Sequence, residues 1–275
     1  MCTVCGQEYR YTDRGQLDLR LRKVKPLHLQ FQLGEKIQDA KRVIRSKLPR
    51  NPRPEVDFST LKVPWHLSEE LLSYFPRAKP EKSLMLDLGC GSTIHRRICE
   101  HAGFDYVGLD YDSPKAMILG DAQALPFKDN SFQFILSVAV LEHIRYPFVM
   151  MKEAYRVLKP GGMFIGTVAF LEPFHGDSFY HHTHLGTLNS LRFAGFNVEA
   201  IAPVRGWSVL LAQATMALFP KLPRAISRSL IFPLDKLHRL WWRLGYALTG
   251  SRTSSEEYRL LRTAGAFSFI ASKRG

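Results

Sequence analysis

The chain is short of cysteine, of acids and of long apolar runs, and each shortage excludes something. Four cysteines in 275 residues (Cys2, Cys5, Cys90 and Cys99) do not make a disulfide framework, so reduced intracellular thiols are the simpler reading. The longest apolar stretch, Trp207 to Phe219, spans 13 residues and contains Gln213. That is short for a membrane span. The N-terminus lacks the apolar core of a secretory signal, so the expectation is a cytoplasmic chain. Acids number 25 against 38 lysines and arginines, for a net charge of +13. The excess is uneven: +7 over residues 1–82, −3 over 83–200 and +9 over 201–275. Basic flanks around a mildly acidic centre fit an anionic partner such as a membrane surface, nucleic acid or phosphorylated substrate. Solvated positive faces with no partner fit equally well.

What the chain does have is a strand, a glycine turn and an acid. Leu84-Met85-Leu86-Asp87-Leu88 is a short apolar run that breaks into Gly89-Cys90-Gly91-Ser92-Thr93. Tyr106-Val107-Gly108-Leu109 is a second run, ending in Asp110 about twenty residues after the glycines. That is the spacing of a nucleoside-binding βαβ unit, in which the acid meets ribose hydroxyls. The G-x-G-x-x-G of dinucleotide enzymes is absent: Asp87 precedes the turn, and Thr93 stands where a further glycine would follow Gly91. An acid beside the turn repels a pyrophosphate and pairs with an ammonium group. S-adenosyl-L-methionine carries an ammonium and a ribose and no phosphate, and is the expected cofactor.

Strands and helices alternate from there. The pattern predicts strands at Leu84–Leu88, Tyr106–Asp110, Ala116–Asp121, Phe132–Val138 and Met163–Ala169. Between them it predicts helices over Ser92–His101 and Pro147–Leu158, the latter stopped by Lys159-Pro160-Gly161-Gly162. Asn197–Pro203 fits a sixth strand and Gly265–Ala271 a seventh. Such alternation argues for an α/β fold with a doubly wound, mostly parallel sheet.

Asp87-Leu-Gly-Cys-Gly91, Asp110, Gly120-Asp121-Ala122, Leu125-Pro126-Phe127, Ser131-Phe132, Leu141-Glu142-His143 and Leu158-Lys159-Pro160-Gly161-Gly162 stand in order. Together they resemble a class I S-adenosylmethionine-dependent methyltransferase, nearest to the type 11 set that includes quinone and other small-molecule enzymes. The resemblance covers roughly residues 84–200. It implies a seven-stranded Rossmann-like sheet whose last strand is antiparallel. It implies that Gly89, Cys90 and Gly91 let the backbone approach the cofactor and that Asp87 faces the methionine ammonium. Asp110 would accept the ribose hydroxyls with Tyr111 against the adenine. Asp121 would accept from the adenine amino group while Ala122 offers its backbone N–H. Ser137 to Glu142 would line the methyl-donor side. Each acid also has a plain alternative as a loop residue or helix cap. Thr93 departs from the glycine that many members carry there.

A hydroxyl acceptor needs a base, whereas an amine need only be neutral. Candidates lie in Phe174-His175-Gly176-Asp177-Ser178-Phe179-Tyr180-His181-His182-Thr183-His184. His181, His182 and His184 could include a general base, with His181 and His184 taken as the candidates and His143 as a third that could equally brace its loop. His175 with Asp177 could join a metal site, but the resemblance favours substrate positioning, and no metal is assigned.

The ends of the chain are more individual. Cys2-Thr3-Val4-Cys5-Gly6 resembles the second half of a zinc-ribbon-like element that precedes many methyltransferases. One C-x-x-C supplies two of about four ligands, so a degenerate hairpin over 1–25 is the alternative to zinc. Residues 26–82 are basic and proline-punctuated, with helical spacing over Leu33–Leu48, and read as a cover closing the site or an amphipathic helix on a partner. The core is assigned to 83–204 and 263–275, and 205–262 to a helical insertion. Within it Leu237, Leu240, Trp241, Leu244 and Leu248 share a helical face beside Lys236, Arg239 and Arg243. That face either packs as a lid or meets an anionic membrane surface, which would make the protein peripheral at the inner membrane.

The function expected is methyl transfer to a small, hydrophobic or lipid-linked acceptor, its O, C or N atom open. A non-catalytic S-adenosylmethionine-binding or scaffold protein is the alternative. A nucleic-acid methyltransferase ranks lower, because Ser137-Val138-Ala139-Val140 stands where an Asn/Asp-Pro-Pro-Tyr/Phe motif would follow the fourth strand.

Overall fold

The computed structural model describes residues 8–23, 26–33 and 39–275. Cys2 and Cys5 lie outside them, as does much of the helix expected to start at Leu33. The chain opens with a hairpin, β1 (Arg10–Tyr11) and β2 (Leu17–Asp18), followed by two four-residue helices, α1 (Ala40–Val43) and α2 (Glu69–Leu72). Then come β3 (Leu84–Leu88), α3 (Arg96–His101), β4 (Asp105–Asp110), β5 (Ile118–Leu119), β6 (Phe132–Val138), α4 (Pro147–Val157) and β7 (Leu158–Ala169). The chain finishes with α5 (His184–Ala194), β8 (Asn197–Pro203), α6 (Val209–Gln213), α7 (Arg224–Thr249), α8 (Glu256–Arg262) and β9 (Ala266–Ser272).

The sheet order is β1-β2-β5-β4-β3-β6-β7-β9-β8. The pairings from β5 through β7 are parallel, and β9 is antiparallel to both β7 and β8. The α/β architecture and the antiparallel last strand match the expectation. The strand number does not: among the described residues there are nine rather than seven, because β2 adds parallel to the β5 edge and brings β1 with it. This covers an edge whose amides would otherwise lack partners.

Each central strand is buried on both faces, which is why the strands read as unbroken apolar runs. Leu86, Leu88 and Ile135 point into a core closed by Met150, Met151 and Ala154 of α4 and by Leu188 and Leu191 of α5. Met85, Phe134 and Leu136 point into the opposite core, closed by Leu71 and Leu72 of α2 and by Ile98 and Cys99 of α3. Truncating a fully buried phenylalanine such as Phe134 to alanine costs about 3–5 kcal/mol in such a setting.

Two local expectations are corrected. Among the described residues of 26–82 the cover is mostly irregular rather than helical: Ile44 leaves α1 in an extended conformation and bridges to Ile201, with Arg45 N–H donating to Ile201 O at 2.8 Å. Its apolar side chains, including Leu48, Val56 and Phe58, are satisfied by the α2–α3 core without helical periodicity. The run Lys159–Gly162 does not follow a helix end directly, because α4 stops at Val157 and Leu158 already pairs with Phe132 in β7. The helical face expected within the insertion lies on α7, which starts at Arg224 and continues through Pro233.

The N-terminal hairpin is clamped at Asp18. Its carboxylate accepts from Arg20 Nε at 3.0 Å, from a terminal nitrogen of Arg20 at 2.9 Å and from Arg22 at 2.9 Å. The Arg20 hydrogen bonds hold the Asp18 carboxyl down at about 2, from an ordinary 3.8. A carboxyl lowered on folding stabilises above its unfolded value and loses that contribution as pH falls through the folded one. Asp18→Asn is therefore expected to lower the melting temperature by roughly 2–4 °C near neutral pH, with the difference vanishing at about pH 2. Calorimetric scans of both proteins across that range check it.

Candidate functional site

The turn after β3 is fixed by β4. Gly89 N–H and Cys90 N–H both donate to Leu109 O, at 2.8 and 3.0 Å, and Thr93 N–H closes the turn onto Cys90 O at 2.8 Å. Gly89 has φ +75°, and a Cβ there would lie 2.4 Å from Val140 Cγ2. No side chain fits. Thr93, where a glycine was the commoner choice, adopts φ 59°. A non-glycine residue in this left-handed region costs about 1–2 kcal/mol, which the surrounding turn sustains.

Two carboxylates flank the turn in different states. Asp110 is braced: Oδ2 accepts from Gly91 N–H at 2.8 Å and Oδ1 from Ser113 N–H at 3.1 Å, while the Ser113 hydroxyl donates to Gly91 O. Asp87 is only 1 % exposed, and its Oδ2 accepts from Tyr106 OH at 2.7 Å. Its Oδ1 has no hydrogen-bond partner among the described residues. A buried carboxylate oxygen left bare costs of order 1–3 kcal/mol or more. His95 Nδ1 stands 3.7 Å from Oδ2, and neither nitrogen of that buried ring has a hydrogen bond. This corner therefore holds a buried carboxyl oxygen with no donor among the described residues.

The other expected cofactor residues divide. Tyr111 is 61 % exposed beside Asp110, with the Arg20 guanidinium 5.8 Å from its ring. Asp121 and the buried Ala122 follow β5 in the same row of strand ends, and Asp121 Oδ1 accepts from Gln123 N–H at 2.8 Å. Ser137 is buried near the end of β6, opposite Gly166 of β7. Cys90 turns inward: burial, and then the charges of Asp87 and Asp110, push its thiol up to about 12, so only its backbone faces the turn.

Beyond β6 lies a cluster of titratable groups. Glu142 is fully buried on a 3₁₀ turn, and both carboxylate oxygens lack partners. Burial pushes its carboxyl up to about 7. His143 stacks edge-on to His175 at 5.2 Å, and His181 lies 6.3 Å from His175. Burial lowers the His143 pKa and keeps the ring neutral, with His175 acting in the same direction. The ligating atoms of Glu142, His143 and His175 all lie within 4.8 Å of one another, a donor set able to take a divalent cation. His184 does not join them: it opens α5, packing at 5.3 Å against Phe267. His182 is buried with Nε2 3.4 Å from Leu141 O and braces the loop.

Sequence reasoning missed an aromatic wall. Trp65 packs against Trp207 at a tilt of 46°, ring centroids 5.1 Å apart, and His66 meets His95 at 5.5 Å. Trp207 Nε1–H donates to Glu172 at 2.7 Å, and burial raises the Glu172 pKa. Trp65-His66 is visible in the sequence, but nothing local pairs it with Trp207. Behind Trp207, a groove of about 920 Å³ lined by Leu211, Arg228, Ile231, Phe232 and Arg259 runs under α7, away from Asp87 and Asp110.

With this geometry in place, comparison with known proteins is informative. Residues 86–166 match the methyltransferase domain family. An uncharacterized methyltransferase of Mycobacterium leprae is 33% identical over 113 residues, covering 36% of this chain and 42% of that one. The sterol 24-C-methyltransferase of Schizosaccharomyces pombe is 33% identical over 114 residues, covering 35% of this chain and 30% of that one. The chain thus spans less than half the length of either relative. Among solved structures, a Haloferax volcanii complex of the Trm112 methyltransferase activator with a methyltransferase has a chain that superposes with a TM-score of 0.51. That match has 20% identity and covers 77% of this chain and 90% of that one. At that identity the likeness concerns the fold.

Glu142 makes a pH-dependent prediction. A carboxyl raised from 4.5 to about 7 on folding binds its proton more tightly in the native state. Stability therefore falls as pH rises from the unfolded value through the folded one, and the full penalty persists above it. Glu142→Gln is expected to be more stable than the parent by about 1–3 kcal/mol at about pH 8, with the gain gone below about pH 4.5. Urea titrations at the two pH values test this, and a pH-independent difference would count against it.

Proposed function

We propose, for a chain whose residues 86–166 belong to the methyltransferase domain family, that it is an S-adenosylmethionine-dependent methyltransferase acting on a small, hydrophobic or lipid-linked acceptor. The observation that carries the cofactor is the bare Oδ1 of Asp87, a buried negative atom beside a glycine turn with no protein donor among the described residues. An ammonium group supplies what that atom lacks. S-adenosylmethionine, when bound, supplies a methyl group on a sulfonium, already activated for displacement.

The chain's own residues then have separate tasks. Asp87, held by Tyr106, takes the amino group, and the Gly89 turn admits the cofactor to backbone contact. Asp110, its carboxylate oriented by Gly91 and Ser113, accepts the ribose hydroxyls. Tyr111, Asp121 and Ala122 surround the adenine, and Ser137 and Glu142 face the donor methyl. Thr93 forms the left-handed corner without a glycine, which removes one reason to read the chain as a scaffold that has lost its cofactor.

On the acceptor side, alignment and exclusion of water do most of the work, because the donor needs no activation. His143 is kept neutral by burial, so a ring nitrogen can receive a proton from a hydroxyl acceptor. Glu142, poised at about 7, can hold a proton or release it near neutrality. His181, exposed at the rim, positions the acceptor. His184, packed on Phe267, has no part in the transfer.

The wall of Trp65 and Trp207 supports an apolar acceptor. Incubation with tritiated methyl donor and a membrane lipid extract, followed by solvent partition, is expected to place label in the organic phase. Asp110→Asn is expected to reduce transfer by about tenfold to a hundredfold, since one amide hydrogen then faces Gly91 N–H. Label confined to aqueous acceptors would overturn the lipid assignment.

A further inference from the structure

Helix α7 has three faces. Ser227 and the partly buried Ile231, His238 and Trp242 turn toward the body of the protein. A second face carries Lys236, Arg239 and Arg243. The third carries Leu230, Leu234, Leu237, Trp241, Leu244 and Leu248, each between 48% and 85% exposed. At about 100° per residue these six fall within about 80° of the circumference. Leu218, Phe219 and Leu222, in the segment before the helix, are also exposed. No described helix is long and apolar enough to cross a bilayer.

We infer that this face of α7 lies in the plane of an anionic phospholipid membrane, with the leucines and Trp241 in the acyl boundary and Lys236, one turn from Leu240 at the edge of the stripe, reaching the headgroups, while Arg239 on the far side pairs with Asp235. Charge decides the occupant. Residues 201–275 carry 12 lysines and arginines against 3 acids, and an acidic surface is the complement. A second copy would set two basic regions against each other. It would also have to use a seam whose flanking positions, Ile231, His238 and Gly245 on one side and Pro233, Leu240 and Ala247 on the other, carry no carboxylate. Coiled-coil pairs draw on opposite charges at those positions. The apolar stripe also widens past a two-position seam through Leu240, 51% exposed, as interfacial helices do.

The helix is tied to the candidate site. At its first residue the Arg224 guanidinium lies over both the Trp65 and Trp207 rings, 4.5 and 4.8 Å from their centroids. A membrane-seated α7 thus brings the aromatic wall to the headgroup level. The docking stands on exposure and charge alone, whereas its use for presenting a lipid acceptor rests on the proposed methyl transfer.

Flotation of the full chain with vesicles separates these. Vesicles of phosphatidylcholine with about one-third phosphatidylglycerol are expected to carry the protein to the top of the gradient, and phosphatidylcholine alone to carry at least about tenfold less. Raising the salt should weaken the anionic binding. The double variant Leu237→Glu/Trp241→Glu is expected to lose flotation by at least about tenfold while keeping its circular dichroism, since both side chains are already in water. Retention in solution with both vesicle types would overturn the inference. So would unchanged flotation of the variant, or a lipid-free dimer that the same substitutions dissolve. Cofactor binding by the non-floating variant would show that membrane docking and methyl-donor recognition fail independently.

Discussion

A carboxylate removed from water and given a single hydrogen bond is costly, and the strand-turn unit of this fold is arranged around one. Asp87 lies at the centre of the sheet, on the strand flanked by β4 and β6, where no solvent reaches it. Tyr106 from the neighbouring strand supplies one donor, and nothing described supplies the second. The hydroxyl of Tyr106 is itself held protonated by burial and by Asp87, its pKa displaced well upward. The corner is rigid, charged and incomplete. A donor group would complete such a site, and Asp110, braced by Gly91 and Ser113, stands across the turn.

The rest of the molecule positions or closes that corner. Parallel pairing of β3 with β4 brings Asp110 to the glycine turn, and pairing with β6 delivers the Glu142 loop to the same end of the sheet. The antiparallel β9 returns between β7 and β8, so the insertion before it emerges beside the site. Trp207 closes this circuit through Glu172 and Trp65.

How much of this could be read from residues alone follows from the range of the interactions. Leu84–Leu88 and Phe132–Val138 were legible because a strand buried on both faces is mostly apolar, which also makes Asp87 stand out within the first of them. Asp87, Asp110 and Glu142 were legible because strand ends of this topology gather at one edge. The irregular 44–63 segment was not, since its periodicity is overridden by the edge at Ile201 and by pockets for Leu48 and Phe58. The start of α7 was hidden by Pro233, which reads as a stop but sits on the exposed side of a helix already anchored by Arg224. The Trp65–Trp207 contact joins distant segments, and no spacing rule reaches it. The place of His184 was hidden for a related reason: a histidine-rich loop does not reveal which half-buried ring the following helix will set against Phe267.

The account turns on Asp87 as the partner of an ammonium group. Titration calorimetry with S-adenosylhomocysteine, which has that group, and with methylthioadenosine, which lacks the amino acid, isolates this contact. The account predicts binding of both to the parent protein, and a loss of about tenfold to a hundredfold for S-adenosylhomocysteine alone in Asp87→Asn. Equal losses for both ligands, or no heat with S-adenosylhomocysteine at high micromolar concentration, would contradict it.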